Sequence, residues 1–222
     1  MSKLNHIAFI MDGNGRWGIK NKRGRNFGHL KGVETVKKIV TCSLKLNIPI
    51  VTFYVFSSEN WKRPKKEISF LFKLIKRYFK GEIDKVVSEG IKINIIGDTK
   101  KLSSDLNKIL RNTVQLTKKN KKIIVNLAIN YGSKHEILNA FKLTNKSLSI
   151  KKFEKNLYTR NMPDPDILIR TGGQKRLSNF MLWQLAYSEL FFLDKLWPDF
   201  KSSDLKKIIK KFNKIKRNFG AL

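Results

Sequence analysis

Near the start of the chain stands the stretch Ile7-Ala8-Phe9-Ile10-Met11-Asp12-Gly13-Asn14-Gly15-Arg16-Trp17. Its first part, Ile7–Met11, is an unbroken apolar run, which predicts a strand buried on both faces. Its second part places one carboxylate, two glycines, an arginine and an aromatic ring directly after that strand. Glycine lets backbone N–H groups approach phosphate oxygens, arginine pairs with two such oxygens, and one aspartate can hold Mg²⁺ that the phosphates also ligate. The stretch therefore indicates a site for a polyphosphate and a metal ion.

Two other interpretations of these residues stay open on the local pattern alone. Asp-Gly and Asn-Gly are strong turn formers, so Asp12-Gly13-Asn14-Gly15 is equally explained as an idle turn. The spacing Gly13-x-Gly15-x-x-Gly18 also spells the dinucleotide-binding fingerprint, which requires a helix that opens at the glycines. The segment that follows, residues 19–29, is basic and has no apolar stripe. We therefore expect no helix there, and this argues against a dinucleotide site.

The length and composition of the chain indicate how large a core it can form and which kinds of partner its charge would attract. With 222 residues, 41% of them hydrophobic, the chain can build one sizeable core, and we predict a single domain over residues 1–222. The formal net charge of +30 suggests nucleic acid, an anionic membrane surface or a phosphorylated substrate as partner. Lysine supplies most of the charge and is spread over nearly every segment, so a solvated surface explains the bulk of it.

The cellular compartment is predicted from the cysteine count and from the apolar runs. Cys42 is the only cysteine, so no internal disulfide can form, and its helical apolar surroundings suit a buried thiol. The first residues lead into the predicted strand with no room for a signal peptide, and no apolar run is long enough to span a membrane. We expect a cytoplasmic protein, at most peripheral at the inner face of the membrane.

Short apolar runs alternate with amphipathic segments along the chain, which is typical of an α/β fold with a central, mostly parallel sheet. About six strands flanked by helices are expected. The predicted strands are Ile7–Met11, Ile50–Phe56, Ile91–Ile96, Ile123–Ile129, Ile167–Ile169 and a shorter one near Leu190–Leu193. Helical spacing of apolar residues predicts helices that include Val33–Leu44, Ile68–Phe79, Leu102–Leu110 and Leu205–Ile215.

Polar clusters follow the predicted strands at the points where they end. These clusters are Asp12–Trp17, Ser57–Pro64, Gly97-Asp98, Asn130–Gly132 and Arg170–Gly173. In open α/β sheets, ligands lie beyond the carboxyl ends of the strands. One crevice is therefore expected to collect the polar clusters.

Taken together, these clusters resemble the cis-prenyltransferase (isoprenyl transferase) family, and most closely its bacterial undecaprenyl diphosphate synthase branch. The matching segments are Met11–Trp17, Arg25–His29, Phe56–Pro64, Ile96–Asp98, Asn130–Gly132, Arg170–Gly173, Arg176–Phe180, Trp183-Gln184, Tyr187–Leu190 and Trp197-Pro198. They occur in order from about His6 to Gly220, which is essentially the whole chain. One such block would be weak, but this many in register are very specific.

The resemblance implies an undecaprenyl diphosphate synthase-like fold and a Mg²⁺-dependent enzyme. Members of the family condense isopentenyl diphosphate repeatedly onto an allylic diphosphate primer, here expected to be farnesyl diphosphate. The implied product is a long-chain polyprenyl diphosphate, the undecaprenyl lipid carrier for cell-wall synthesis. The resemblance also implies a homodimer, no nucleic-acid partner and transient contact with a membrane surface during product release.

The same resemblance assigns roles to individual residues. Asp12 is the expected catalytic metal ligand, and Glu189 is a further ligand from the same chain or from the dimer partner. Asn60 matches a residue associated with proton removal, but an amide is a poor base, so we interpret it as orienting substrate, water or a diphosphate oxygen. The allylic diphosphate is expected on Gly13, Asn14, Gly15, Arg16, Arg25, His29 and Arg63, and isopentenyl diphosphate on Arg170, Arg176 and Ser178. Trp17 and a mobile loop with Ser57, Ser58, Glu59 and Trp61 complete the expected substrate-binding set.

One position departs from the family pattern, and two other classes of function stay open. Gln174-Lys175 stands where many relatives carry an acidic residue and a histidine, which removes one candidate metal ligand and adds a cation. A non-catalytic prenyltransferase-like subunit is one alternative, although the retained Asp12, Asn60 and Glu189 argue against it. A nucleic-acid binder is the other, motivated by the charge and opposed by the absence of a recognition motif.

Overall fold

A computed structural model describes residues 4–144 and 149–217, which form helices around one six-stranded sheet. Numbered in chain order, the strands are β1 (His6–Ile10), β2 (Ile50–Ser57), β3 (Ile91–Ile96), β4 (Ile123–Tyr131), β5 (Ile167–Arg170) and β6 (Glu189–Phe192). The strand order is β3-β4-β2-β1-β5-β6, and every neighbouring pair is parallel. The predicted fold class is confirmed, and each predicted strand is found within two residues of its expected bounds.

Seven α-helices accompany the sheet in the described residues. They are α1 (Asn14–Lys20), α2 (Gly24–Lys45), α3 (Lys65–Ser88), α4 (Ser104–Thr117), α5 (Ser133–Leu143), α6 (Ile150–Glu154) and α7 (Ser202–Phe212). Short 3-10 helices cover Ser58–Lys62, Thr99–Lys101 and Trp197–Asp199. The four helices predicted from apolar spacing are confirmed as α2, α3, α4 and α7, although Leu102 precedes α4 and Ile215 follows α7.

The prediction that no helix opens at the first glycines is wrong. Helix α1 begins at Asn14, directly after Gly13, whose φ of 106° lies in the left-handed region that favours glycine. The helix has no apolar stripe because its contact with α2 is made by glycines: a Cβ on Gly28 would overlap the carbonyl oxygen of Asn14, and one on Gly18 would overlap that of Gly24. The absence of a helix is therefore not a valid argument against the dinucleotide fingerprint. The crossover differs from that of the fingerprint instead, because two helices, α1 and α2, separate the parallel strands β1 and β2.

Both faces of the sheet are covered, as the continuous apolar strands predict. Along β1, Ile7 and Phe9 pack into a large cluster that includes residues of α2, α3, α4 and α7. Ala8 and Ile10 pack into a second cluster on the opposite face, which includes Phe180. All four side chains are at most 6% exposed, so β1 is the buried centre of the molecule.

A buried polar row crosses the sheet on the face of the second cluster. Asn94 donates to Asn126 Oδ1 (3.2 Å), and Asn126 donates to Thr52 Oγ1 (2.9 Å), which lies 2.7 Å from His6 Nε2. His6 Nδ1 lies 2.8 Å from the Pro163 carbonyl oxygen. Burial lowers the pKa of His6 to about 4 against the smaller opposing effects of Pro163 and Asp166. His6 is therefore a neutral structural side chain.

The strand order brings the polar clusters of distant segments to one edge of the sheet. β1 lies between β2 and β5: Phe9 pairs with Phe53 of β2, and Ile10 pairs with Arg170 at the carboxyl end of β5. The sheet grows on one side of β1 through β2, β4 and β3, and on the other side through β5 and β6. At the point where the strand order reverses in this way, a crevice is expected. Within residues 4–144 and 149–217, no helix is both long and apolar enough to cross a membrane.

Candidate active site

A cleft of about 680 Å³ opens beyond the carboxyl ends of β1, β2 and β5. The predicted site residues that line it are Asp12, Gly13, Asn14, Gly15, Arg16, Arg25, His29, Ser57, Glu59, Asn60, Arg63, Arg170, Arg176 and Ser178. The polar clusters after β3 and β4 are not part of its lining. There, the Asn130 side chain donates to the Asp98 carbonyl oxygen (2.6 Å) and accepts from Trp61 Nε1 (2.7 Å). The expected crevice thus collects three of the five clusters.

Asp12 stands at the centre of the cleft between two arginines. Its Oδ1 accepts from Arg16 Nη2 (3.1 Å) and its Oδ2 from Arg170 Nη2 (3.1 Å). Its carbonyl oxygen accepts from Thr171 Oγ1 (2.8 Å) and from the Trp197 N–H (3.0 Å), so the backbone is held from two sides. The carboxylate is 31% exposed, which leaves it reachable from the cleft.

Arg170 is the most enclosed cation of the site, with a side chain 4% exposed. Besides Asp12, its guanidinium donates to Ser178 Oγ (2.7 Å) and to the Arg176 carbonyl oxygen. Arg176 in turn donates to Gln174 Oε1 (2.6 Å). Gln174, at the position that departs from the family pattern, therefore positions a predicted substrate-binding arginine. Lys175 is exposed and does not line the cleft.

On the other side of the cleft, two arginines and a histidine converge on the carboxylate of Glu67. Arg25 donates through Nε (3.0 Å) and Nη2 (3.2 Å), Arg63 donates through Nη1 (3.1 Å), and His29 Nε2 lies 3.3 Å away. Burial raises the pKa of the Glu67 carboxyl, but Arg25 and Arg63 outweigh this and lower it overall, so it is ionised at neutral pH. Burial lowers the pKa of His29 despite the attraction of Glu67, so the imidazole is neutral there.

Our sequence analysis did not identify Glu67. The one local signal is that Glu67 follows Arg63 by four residues, but Arg63 precedes α3 in an extended conformation, so helical periodicity does not predict their contact. Arg25 and His29 come from α2, far along the chain, and their approach depends on how α2 and α3 pack. The convergence of the two arginines and His29 on Glu67 could therefore not be predicted from spacing.

Glycines shape the floor of the cleft by leaving room for guanidinium groups. A Cβ on Gly15 would lie 2.7 Å from Arg25 Cζ. Gly172 has a φ of 91°, and its carbonyl oxygen accepts from Arg16 Nη2 (2.8 Å). A Cβ on Gly172 would also lie 3.0 Å from Asp12 Cγ. Any larger residue at either position would displace charged groups that line the cleft.

The predicted loop after β2 forms the 3-10 helix Ser58–Lys62 at the rim of the cleft. Asn60 Oδ1 accepts from the Ser57 N–H (3.1 Å), so its amide oxygen is already engaged. Glu59 Oε1 accepts from Asn179 Nδ2 (2.7 Å) across the cleft. Burial raises the pKa of Glu59, but the hydrogen bonds from Asn179 and Ser58 outweigh it and lower the pKa overall.

Four predicted site residues do not line the cleft. Trp17 donates to Asp199 (2.7 Å), Trp61 packs on Phe56 and Phe72, and Ser58 donates to Glu59. Glu189 begins β6 and pairs with Ile167, at the opposite end of β5 from Arg170. One copy of the chain therefore does not bring Glu189 to Asp12. A shared metal would require Glu189 of a second copy.

An apolar cavity of about 120 Å³ adjoins the cleft between α2, α3 and the sheet. It shares Met11, Asn14, His29, Val55 and Leu71 with the cleft lining. Its remaining lining is almost wholly apolar: Gly32, Val33, Val36, Phe56, Leu74, Ile75, Tyr78, Phe79, Leu127, Ile129 and Trp197. The expected helices after Val33 and Ile68 thus supply an apolar space beside the charged cleft.

Comparison with families and relatives identifies similar proteins over nearly the whole chain. Residues 10–220 match the family model described as "Putative undecaprenyl diphosphate synthase". An isoprenyl transferase of Rickettsia sibirica is 43% identical over 224 residues, covering 99% of both chains. One from Prochlorococcus marinus is 43% identical and covers 98% of this chain and 84% of its own.

Two solved structures extend the similarity to the fold. Lavandulyl diphosphate synthase from Lavandula x intermedia, in complex with dimethylallyl diphosphate, superposes with a TM-score of 0.93 at 31% identity and covers 98% of each chain. A probable undecaprenyl diphosphate synthase from Campylobacter jejuni superposes with a TM-score of 0.85 at 34% identity and covers 100% of each chain. Both structures therefore match nearly the whole of this chain.

Proposed function

The chain belongs to the cis-prenyltransferase family, and from that premise we propose that it condenses isopentenyl diphosphate repeatedly onto an allylic diphosphate primer, farnesyl diphosphate. The observation that carries the proposal is a cleft lined by five arginines, two of which bind the carboxylate of Asp12, next to an apolar cavity. A charged cleft suits two diphosphates, and an apolar space suits the hydrocarbon attached to one of them. The product is then a long-chain polyprenyl diphosphate, the undecaprenyl carrier for cell-wall synthesis.

The two diphosphates are assigned to opposite sides of the cleft. The Glu67 side, with Arg25, His29 and Arg63, adjoins the apolar cavity and is proposed for the allylic primer. The lavandulyl diphosphate synthase complex with dimethylallyl diphosphate, an allylic diphosphate, supports this choice of ligand. The side with Arg170, Arg176 and Ser178 is proposed for isopentenyl diphosphate. Arginine suits both sides because its planar fork pairs with two phosphate oxygens.

The residues around Asp12 fit a magnesium ion bound together with substrate. No group of three or more metal-ligating side chains occurs in the described residues, and Mg²⁺ commonly takes one or two carboxylates plus substrate phosphates. Asp12 is such a carboxylate, reachable from the cleft and oriented by Arg16 and Arg170. When bound, the metal would neutralise charge on the departing diphosphate.

The proposed reaction requires one bond to break and one to form, followed by loss of a proton. The allylic carbon–oxygen bond breaks and its electron pair leaves with the diphosphate, which the arginines of the Glu67 side stabilise. The double bond of isopentenyl diphosphate supplies the electrons of the new carbon–carbon bond, and loss of a proton from the adjacent carbon restores a double bond. The proton goes to a diphosphate oxygen or to water, which Asn60 is proposed to orient, because its own amide is too weak a base to take the proton.

A homodimer is proposed from the apolar surface of α5 and α6. Leu138, Phe141, Leu143 and Ile150 are each more than half exposed, which is unusual for large apolar side chains clustered on two adjoining helices. A second copy covering this surface would remove it from water. A dimer would also give Glu189 a route to another copy's metal site.

Incorporation of labelled isopentenyl diphosphate by the purified protein tests the proposal. With farnesyl diphosphate and Mg²⁺, we expect polyprenyl products, complete loss of incorporation with EDTA, and recovery on adding Mg²⁺. Asp12→Asn keeps the size of the side chain but removes its charge, and we expect a loss of kcat of at least about 100-fold. Absence of incorporation by the intact protein with every allylic primer tried would favour the non-catalytic subunit.

A further inference from the structure

We propose that Asn179 is a positioning residue that holds the isopentenyl diphosphate site through a contact with the opposite rim of the cleft. Its side chain joins the 3-10 helix Ser58–Lys62, which lies next to the allylic site, to the segment that carries Ser178 and Arg176. We call this contact the Glu59–Asn179 bridge. The inference rests on the proposed function and adds to it a residue that ties the isopentenyl diphosphate site to the opposite rim of the cleft.

Asn179 makes three hydrogen bonds, two through its side-chain amide and one through its backbone carbonyl oxygen. Its Nδ2 donates to Glu59 Oε1 (2.7 Å), and its Oδ1 accepts from the N–H of Lys134 (2.9 Å). Its carbonyl oxygen accepts from the N–H of Ser133 (2.8 Å). The residue thus connects the 3-10 helix, the start of α5 and the segment that follows β5.

These contacts hold a backbone conformation that the segment would not adopt freely. Ser178 and Asn179 have φ values of 49° and 62°, in the left-handed region that residues other than glycine rarely occupy. Such conformations persist where the surroundings impose them, and they concentrate at functional sites. In this conformation Ser178 Oγ accepts from Arg170 Nη1 (2.7 Å), and Arg170 in turn donates to Asp12 (3.1 Å). The bridge is therefore connected to the central carboxylate.

The close approach of the two sides depends on a glycine at the end of β4. A Cβ on Gly132 would lie 2.8 Å from Asn179 Nδ2 and would overlap Ser58 Oγ. Ser58 Oγ also donates to Glu59 Oε2 (3.1 Å), so both oxygens of Glu59 are held. Gly132 belongs to the matched motif Asn130–Gly132, none of whose residues lines the cleft. The absence of a side chain at Gly132 leaves the space that the Glu59–Asn179 bridge needs.

Reversing the donor and the acceptor of the bridge tests the proposal. Asn179→Asp keeps an oxygen for the Lys134 N–H and tolerates a left-handed φ, but it places a second carboxylate against Glu59. We expect KM for isopentenyl diphosphate to rise about tenfold, with KM for farnesyl diphosphate changed by less than about twofold. In the double variant Asn179→Asp with Glu59→Gln, the new amide donates to the new carboxylate. We expect this pair to recover most of the lost affinity.

Two further variants separate positioning from loss of structure. Asn161→Asp makes the same chemical change at an exposed asparagine that also has a left-handed φ (69°) and does not line the cleft, and we expect both KM values to stay as in the parent. Glu59→Ala removes the carboxylate that accepts from Asn179, and Glu59 is exposed, so its loss should not disturb the core. We expect it to raise KM for isopentenyl diphosphate even if Asn179→Asp proves too unstable to purify.

Amide hydrogen exchange provides a readout that does not depend on activity. We expect Asn179→Asp to speed exchange in residues 58–62 and the double variant to slow it again. The positioning role is overturned if the two KM values rise together, if KM for isopentenyl diphosphate is unchanged, or if the double variant is no better than Asn179→Asp. If the parent protein makes no product, the proposed function fails, and unchanged exchange in residues 58–62 would then separately overturn the bridge.

Discussion

The cations of the cleft are arranged by carboxylates before any phosphate is bound. Asp12 holds Arg16 and Arg170, and Glu67 gathers Arg25, His29 and Arg63. Arginine side chains carry much rotamer freedom, so a site built from free arginines would lose that entropy on binding. Prior pairing with a carboxylate removes part of this loss. Glu67 accordingly matters for affinity although it does not itself line the cleft.

At the residue scale, we predict that Glu67→Gln raises KM for the allylic primer about tenfold and KM for isopentenyl diphosphate by less. The amide keeps the size of the side chain but cannot neutralise the two arginines that converge on it, so Arg25 and Arg63 separate. Steady-state kinetics with each substrate varied in turn measures the difference.

The control for Glu67 lies on the same helix. Glu82→Gln removes a carboxylate of α3 that pairs with Lys37 (2.6 Å) and does not line the cleft. We expect both KM values of this variant to match those of the parent protein. Equal effects of the two substitutions on primer KM would show that Glu67 acts only through general charge.

Helix packing decides where the first residues of the cleft lie. Helix α1 lies against α2 through Gly18 and Gly28, so closely that neither position has space for a Cβ. The contact lets Asn14 reach both the cleft and the adjoining apolar cavity. Because glycine leaves no apolar signal, a helix pair of this kind has no stripe that periodicity could detect.

At the element scale, we predict that Gly28→Ala lowers the free energy of unfolding by about 1–3 kcal/mol, because the added methyl group forces α1 away from α2. Activity should fall with it, since Asn14 and Arg16 move with α1. The measurement is urea denaturation followed by circular dichroism. Gly81→Ala is the matched control: Gly81 lies in α3 with nothing within 4 Å of an added Cβ, so alanine should stabilise the helix by up to about 1 kcal/mol.

A second element-scale prediction concerns the apolar cavity between α2 and α3. Val36→Phe fills part of its volume of about 120 Å³, so a growing hydrocarbon chain would meet an obstacle earlier and shorter products should accumulate. Chromatography of the dephosphorylated products measures their length. Val87→Phe, on an exposed part of α3, is the control and should leave the product lengths unchanged. If Val36→Phe also leaves them unchanged, the growing chain does not occupy this cavity.

For the molecule as a whole, the sheet order creates the site and the surface charge surrounds it. β1 lies between β2 and β5, which brings the residues after three distant strands into one cleft. The net charge of +30 is spread over the surface, and it favours approach of anionic substrates without selecting among them. The exposed apolar surface of α5 and α6 is a local exception to that charged surface.

At the scale of the whole molecule, we predict that Phe141→Lys converts a dimer into a monomer. Phe141 is 56% exposed in the apolar surface of α5, and a charge there would be costly to bury in an interface. Sedimentation velocity at micromolar concentration measures the change. Leu116→Lys alters an equally exposed residue of α4, 58% exposed, and should leave the mass unchanged. A monomeric parent protein would exclude the proposed dimer outright.

The strands were predicted within two residues because most are runs of apolar, mostly β-branched or aromatic residues bounded by polar ones, and β3 alternates isoleucines with Lys92 and Asn94. Most of the cleft was predicted too, because its residues lie in contiguous motifs at strand ends. Helix α1, Glu67 and Asn179 were missed for one reason. Each depends on contacts between segments far apart in the chain, and no local pattern records such contacts.

By itself, the sequence determined the α/β class, the positions of the strands, the family and the types of side chain that line the cleft, because local periodicity and contiguous motifs carry that information. Only the tertiary structure decided which cations share Glu67, how Asn179 meets Glu59, and that Glu189 lies at the far end of the sheet from Arg170. The physical reason is that hydrogen bonds and ion pairs act over a few ångströms. Which residues come that close is set by strand order and helix packing, not by separation along the chain.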